Sequence, residues 1–137
     1  MNFSETEILR KIGQIDNSID AGDCPHHGFL SGTLGILYYY YNRFLILGES
    51  EYFEKADSLL KRTLDDMEQN MNRLNGPSFA SGGTGLAFLL SYLYRNGLIH
   101  IDLTQELSFM DEYLFNEAVK MTREDKIDYL HGSLGVL

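Results

Sequence analysis

Four side chains with metal-ligating or proton-transfer chemistry fall close to one another along this chain or beside one of its motifs. Cys24, His26 and His27 share one loop, and His131 stands immediately before a glycine pair. A thiolate and two imidazoles are good ligands for a soft divalent metal. However, adjacent histidines rarely serve one ion, and this spacing matches no closed zinc module. We therefore read His26 and His27 as solvent-facing loop residues and Cys24 as half-buried; the alternative is a site formed by Cys24, one of those histidines and His131. His131 by itself has the chemistry of a general acid or base. Asp128, three residues earlier, suits the start of a helix or an Asx turn, where a carboxylate takes up free backbone amides. No phosphate-binding loop, catalytic serine motif or dinucleotide fingerprint is present.

The elements that must position these residues are announced by glycine. Gly32-Thr33-Leu34-Gly35, Gly82-Gly83-Thr84-Gly85 and Gly132-Ser133-Leu134-Gly135 begin fifty residues apart, and each leads into an apolar run. Three motifs in phase mean one supersecondary unit repeated, so the fold is read as an array. Glycine costs a helix about 1 kcal/mol relative to alanine. Gly32, Gly35, Gly82, Gly85, Gly132 and Gly135 are thus assigned a structural role: without side chains they let a neighbouring helix or loop approach the backbone closely. Inner helices starting this way bring their N-terminal ends to one mouth, where His131 and Asp128 are presented.

Between the glycines the pattern is helical. Ser4-Glu5-Thr6-Glu7 has capping-box spacing, and Ile8, Ile12, Ile15 and Ile19 follow at helical intervals, predicting a helix over 5–20. Residues 21–28 read as loop. The run from Thr33 to Leu47, with four consecutive tyrosines (38 to 41), is apolar nearly all round, so it must be enclosed on several sides. Gly48 ends it and Ser50 is placed as the next cap. The following helix has Tyr52, Ala56, Leu59, Leu60, Thr63 and Met67 on one face, with Asp65-Asp66-Met67-Glu68 read as solvated. A second apolar helix is expected over 84–95, closed by Asn96-Gly97, and a third amphipathic one over 104–122. No segment reads as a strand. The organisation is one all-α domain, 1–137, in repeats of about 1–49, 50–99 and 100–137, with amphipathic outer and apolar inner helices.

Composition narrows the partners. Apolar residues make up 44%, as in globular chains, and eleven basic against twenty acidic side chains give a net charge of −9. Nucleic acid and anionic membrane both need a positive face and are disfavoured. One cysteine excludes an internal disulfide, and the N-terminus lacks the charged and apolar regions of a signal peptide. No apolar stretch is long enough to span a bilayer, so the chain is expected in the cytoplasm.

Leu30-Ser31-Gly32-Thr33-Leu34-Gly35, Ala80-Ser81-Gly82-Gly83-Thr84-Gly85 and Asp128-Tyr129-Leu130-His131-Gly132-Ser133-Leu134-Gly135 resemble the repeats of the lanthionine synthetase C-like family, the lanthipeptide cyclases. The resemblance implies an α/α toroid, here an incomplete ring made of the N-terminal repeats. It also implies a peptide substrate and a zinc ion, held by two cysteines and a histidine of later repeats, that activates a cysteine thiol for addition to a dehydroalanine or dehydrobutyrine. By the same resemblance, Asp128 matches an aspartate that positions groups or moves protons near the metal. A chain with one cysteine cannot supply that zinc site, so no metal or cofactor is assigned to it and inactivity is expected. Zinc is expected only in a full-length parent. Self-association through the open end of the arc is expected, since large apolar flanks tend to be covered. Rival readings are a non-enzymatic helical scaffold that binds peptides, and another α/α toroid such as a glycosidase or terpenoid-type cyclase. The latter would need an acidic cluster at the inner helix starts, where only Asp128 is so placed.

Overall fold

A computed structural model describes residues 4–19, 24–69 and 74–136. Asp20, the expected end of the first helix, residues 21–23 of the expected loop, and Leu137 lie outside the described residues. Among the described residues the elements are all helical: α1 (Glu5–Ser18), α2 (Thr33–Leu47), α3 (Ser50–Gln69), α4 (Gly83–Arg95), α5 (Leu103–Arg123) and a 3₁₀ turn at Ser133–Gly135. No helix among them is long and apolar enough to cross a membrane.

The helix ends follow local chemistry. The Ser4 hydroxyl accepts from the Glu7 amide at 3.3 Å, and Asp102 accepts from Thr104 and Gln105 at 3.1 and 3.3 Å to start α5. Gly48, at φ 72°, takes the left-handed turn after α2 that a side chain would resist, and its amide reaches the Phe44 carbonyl at 2.8 Å. Ser50, expected as the cap of α3, is instead its first helical residue.

The apolar helices α2 and α4 lie side by side, and each carries an amphipathic helix, α3 along α2 and α5 along α4. This is the two-layered α/α arrangement that the alternating apolar and amphipathic segments predict. The stripe Ala56, Leu59, Leu60, Thr63 and Met67 is buried as its spacing requires. It joins Leu34, Leu37 and Tyr41 of α2 and Leu86, Leu89 and Leu93 of α4 in the main core. A smaller cluster of Leu114, Ala118 and Val136 links α5 to the 3₁₀ turn.

At 100° per residue, the four tyrosines of α2 point in four directions, and each finds a partner. The Tyr38 ring lies 4.8 Å from Tyr92 of α4, and the Tyr39 hydroxyl donates to Asp16 of α1 at 2.7 Å. Tyr40 meets Tyr52 and Tyr41 meets Phe53, both on α3. Partners on several sides up to Phe44 leave that stretch of α2 no use for a polar face, whereas its last turn, Leu45, Ile46 and Leu47, is exposed although apolar.

Candidate functional site

Each glycine pair sits where the chain folds back on itself. The first glycine precedes the first helical residue, with extended backbone at Gly32, Gly82 and Gly132. A Cβ on Gly32 would lie 2.5 Å from both the His26 oxygen and the Gly28 nitrogen; on Gly132 it would lie 2.5 Å from the Asp128 nitrogen. The second glycine passes under the carbonyl of an aromatic residue six positions earlier: Phe29 over Gly35, Phe79 over Gly85, Tyr129 over Gly135. The close neighbour is therefore the chain's own preceding loop. The same bond, from an amide to the carbonyl seven residues earlier, recurs in each loop: Thr33 N–H to His26 O at 3.2 Å, Gly83 to Gly76 at 3.0 Å, and Ser133 to Lys126 at 2.8 Å.

The three loops are also joined in series. Leu30 N–H donates to Ala80 O at 3.0 Å, and Phe79 N–H donates to Gly135 O at 2.8 Å. The Thr84 hydroxyl reaches both Pro77 O at 2.8 Å and Val136 O at 3.2 Å. Side chains fifty residues apart meet as well: Phe29 with Phe79 at 4.9 Å between ring centroids, Tyr38 with Phe88 at 6.0 Å, and the Tyr92 hydroxyl with Asn42 Oδ1 at 2.7 Å. Pairs with equal offset along two helices require the helices to run parallel and in register. The starts of α2, α4 and the 3₁₀ turn are therefore gathered at one end of the arrangement, their first amides taken up by the preceding loops.

Asp128 and His131 lie on the third of these loops, both exposed. Asp128 Oδ1 accepts from the amides of His131 at 2.7 Å and Leu130 at 3.0 Å. The His131 amide, more than any other group, holds the carboxyl below its usual range, with the Leu130 and Gly132 amides adding to the effect. The carboxylate thereby fixes the turn that leads into Gly132.

A family model described as lanthionine synthetase C-like protein matches residues 5–137. The chain belongs to the lanthionine synthetase C-like family. No curated protein and no solved structure matches it. The glycine loops are the motifs on which the sequence resemblance rests, and in this lanthionine synthetase C-like chain their geometry explains why these positions need glycine.

The loop of the first repeat in this lanthionine synthetase C-like protein departs from the sequence reading. His27 does not face solvent; it is buried. Its Nδ1 pairs with the Thr33 hydroxyl at 3.0 Å and its Nε2 with Asp66 Oδ2 at 2.7 Å. Asp66, read as part of a solvated face, instead ties α3 to the first motif. His26 is exposed, and its carbonyl accepts from the Thr33 amide and hydroxyl. Cys24 is half-buried beside a groove lined by Ile19, Phe29 and Tyr39. With both ring nitrogens of His27 engaged and a single thiol in the chain, these residues do not fit the two-cysteine, one-histidine zinc site that the family resemblance implies. Among the described residues no three histidine, cysteine, aspartate or glutamate side chains converge on a common point.

Two features escaped the sequence reading. An aromatic residue stands three positions before each first glycine (Phe29, Phe79 and Tyr129), in the same phase as the glycines themselves. The pairing of His27 with Asp66, 39 residues apart, has no counterpart in the other repeats, where Pro77 and Ile127 occupy the histidine's place.

Proposed function

We propose that this chain forms the peptide-facing N-terminal arc of a thioether cyclase and does not itself close thioether rings. Family membership over residues 5–137 carries the reading. In the family's reaction a cysteine thiol adds to a dehydrated serine or threonine, which requires a thiolate and an acceptor alkene held together. The chain's contribution is positional. Asp128, anchored on two amides, is a weak base at neutral pH, so its role is to hold and orient a polar or cationic group of the peptide; it does not take the thiol's proton. His131, beside it on the same loop, is the group suited to moving a proton. The open groove along α4 and α5, bordered by Phe88, Tyr92, Arg95 and Asp111, offers an apolar bed with one charge of each sign for an extended peptide.

That groove also favours a second reading, a scaffold that binds peptide without chemistry. One experiment separates the two. The chain is incubated with a dehydrated, cysteine-containing peptide and zinc; free thiol is followed by alkylation and binding by fluorescence anisotropy. The expected result is binding with full retention of thiol, weakened several-fold by Asp128→Asn if the third loop takes part. Zinc-dependent loss of thiol would overturn the inactive assignment. Binding unchanged by Asp128→Asn and His131→Ala would leave the scaffold reading in place of the arc of a cyclase.

A further inference from the structure

Two Asn-Gly pairs lie in this chain, Asn75-Gly76 and Asn96-Gly97. In such a pair the backbone nitrogen of the glycine can attack the asparagine side chain, because no Cβ blocks its approach. At the first pair, Gly76 N would give up its proton and bond to Asn75 Cγ, while the Cγ–Nδ2 bond breaks and ammonia leaves. Water then opens the resulting succinimide ring on one side or the other. Opening at Cγ yields an aspartate; opening at the α-carbonyl yields an isoaspartate, in which the chain runs through the side chain.

The fold treats the two pairs differently. Asn96 closes α4: its Nδ2 donates to the Tyr92 carbonyl at 2.8 Å, and the Gly97 N–H, the attacking group, donates to Tyr94 O at 3.0 Å. Both bonds must break before a ring can form. Asn75 is exposed on the second glycine loop, and among the described residues neither its side-chain amide nor the Gly76 N–H has a hydrogen-bond partner. What is held there is the rest of Asn75: its N–H donates to Ser81 O at 2.9 Å, and its carbonyl accepts from the Ser81 hydroxyl at 3.2 Å. Ser81 has one hydroxyl proton, so the buried Ser78 hydroxyl, 3.1 Å away, donates to it. A hydrogen bond to a peptide oxygen draws electrons from the peptide nitrogen, and two hydroxyls in line strengthen the pull. The Gly76 nitrogen thereby loses its proton more readily, which is what ring closure needs.

We propose that Asn75-Gly76 is a self-modification site: in the folded protein the Gly76 nitrogen, activated by Ser81, converts Asn75 to isoaspartate, while the end of α4 protects Asn96. At the same phase the other loops hold Pro25-His26 and Asp125-Lys126, so the chemistry belongs to the second repeat alone. The product does not fit its loop. Isoaspartate lengthens the backbone path by one atom and puts a carboxylate where the Asn75 carbonyl stood. Gly76 O is packed against Gly82 and accepts from the Gly83 amide at 3.0 Å, so the extra length cannot be absorbed there. The same loop carries Ala80 and Phe79, which bond to the first and third loops. Modification of one exposed asparagine therefore loosens the junction of all three repeats, whatever catalytic role the chain has.

The test incubates the native chain in mildly alkaline buffer and maps isoaspartate by peptide mass spectrometry with electron-transfer fragmentation, which tells the two linkages apart. Isoaspartate is expected to form at 75 about tenfold or more faster than at 96, where two hydrogen bonds guard the ring closure. In urea the two sites should react at similar rates. Ser81→Ala should slow the reaction at 75 several-fold in the folded chain and leave it unchanged in urea. Hydrogen exchange across 79–85 should quicken in the modified protein. An Asn75 that stays intact, or that reacts no faster than Asn96 in the folded chain, overturns the proposal. A Ser81→Ala rate equal to the native one overturns the activation by Ser81, and unchanged exchange overturns the loosening of the loop.

Discussion

His27 is fixed at both ring nitrogens, by a hydroxyl of the helix it introduces and by a carboxylate of the helix packed alongside. One buried ring thus joins a loop, α2 and α3. Replacing it with alanine leaves a void and strips Asp66 of its imidazole partner, while Thr33 keeps its bond to the His26 carbonyl. We expect His27→Ala to cost about 1–3 kcal/mol in urea unfolding; a loss below about 0.5 kcal/mol, the range of ordinary surface changes, would mean the contact is incidental. Two tyrosines carry a different signature. Burial, reinforced by hydrogen bonding to Asp16, pushes the Tyr39 phenol up to about 12, and burial together with the Asp57 charge does the same for Tyr41. A phenol that ionises near 10 in the unfolded chain and near 12 in the folded one stabilises the fold fully below pH 10, and this contribution is lost as pH rises through 12. Thermal melts between pH 8 and 12 should show a steep fall above pH 10, shallower in Tyr41→Phe. Equal slopes for the two proteins would rule out Tyr41 as a source.

The helix starts show what a glycine does when its neighbour is backbone. A methyl on Gly35 would run into the Phe29 carbonyl, which is itself held by the loop closure between Thr33 and His26, so the strain cannot be relieved by turning a side chain. Gly13, midway along α1, has open space around it. The same substitution should therefore have opposite signs. Gly35→Ala should destabilise by about 1–3 kcal/mol or more, and Gly13→Ala should stabilise by about 0.5–1 kcal/mol. Both are read from denaturant midpoints, and a neutral Gly35→Ala would refute the close-approach account of the motif. The helices themselves were legible because their signal is periodic: the apolar stripes at helical intervals, the glycine pairs and Asn96-Gly97 all lie within one or two turns of the residues they govern. The helix bounds moved by only one or two residues at α1, α4 and α5. The bond between His27 and Asp66 was not legible. It depends on how far α3 runs before its last turn passes the first loop, a distance that no local pattern records. The aromatic residue before each glycine pair was in plain view at the same period; it was missed because ring contacts between loops have no spacing rule of their own.

At the scale of the molecule, stability is unevenly distributed. The main core draws on α2, α3 and α4, whereas α5 and the 3₁₀ turn share a cluster of three buried residues, and α1 contributes none. In a repeat array each unit is stabilised mainly by its neighbours, so elements that bury little against the main core should open before those that form it. Charge works in the same direction: a net −9 opposes compaction, and the exposed helices can relieve that repulsion by detaching. Hydrogen exchange read by mass spectrometry should place the slowest amides in 37–47, 56–67 and 87–95, with 8–18 and 107–123 exchanging earlier. The hold on α1 is specific enough to be cut separately. Asp16 gathers the Tyr39 hydroxyl at 2.7 Å, the Arg43 guanidinium at 3.0 Å and the Tyr52 hydroxyl at 3.1 Å, while Arg43 also lies over the Tyr52 ring. Asp16→Ala removes the acceptor common to all three donors. Exchange in α1 should then accelerate at least several-fold, with the amides of α4 unchanged. If α4 speeds up in parallel, α1 is part of one cooperative unit with the core and the molecule unfolds as a whole. If α1 alone responds, the first repeat is hinged on that carboxylate, and its helix detaches without unfolding the rest.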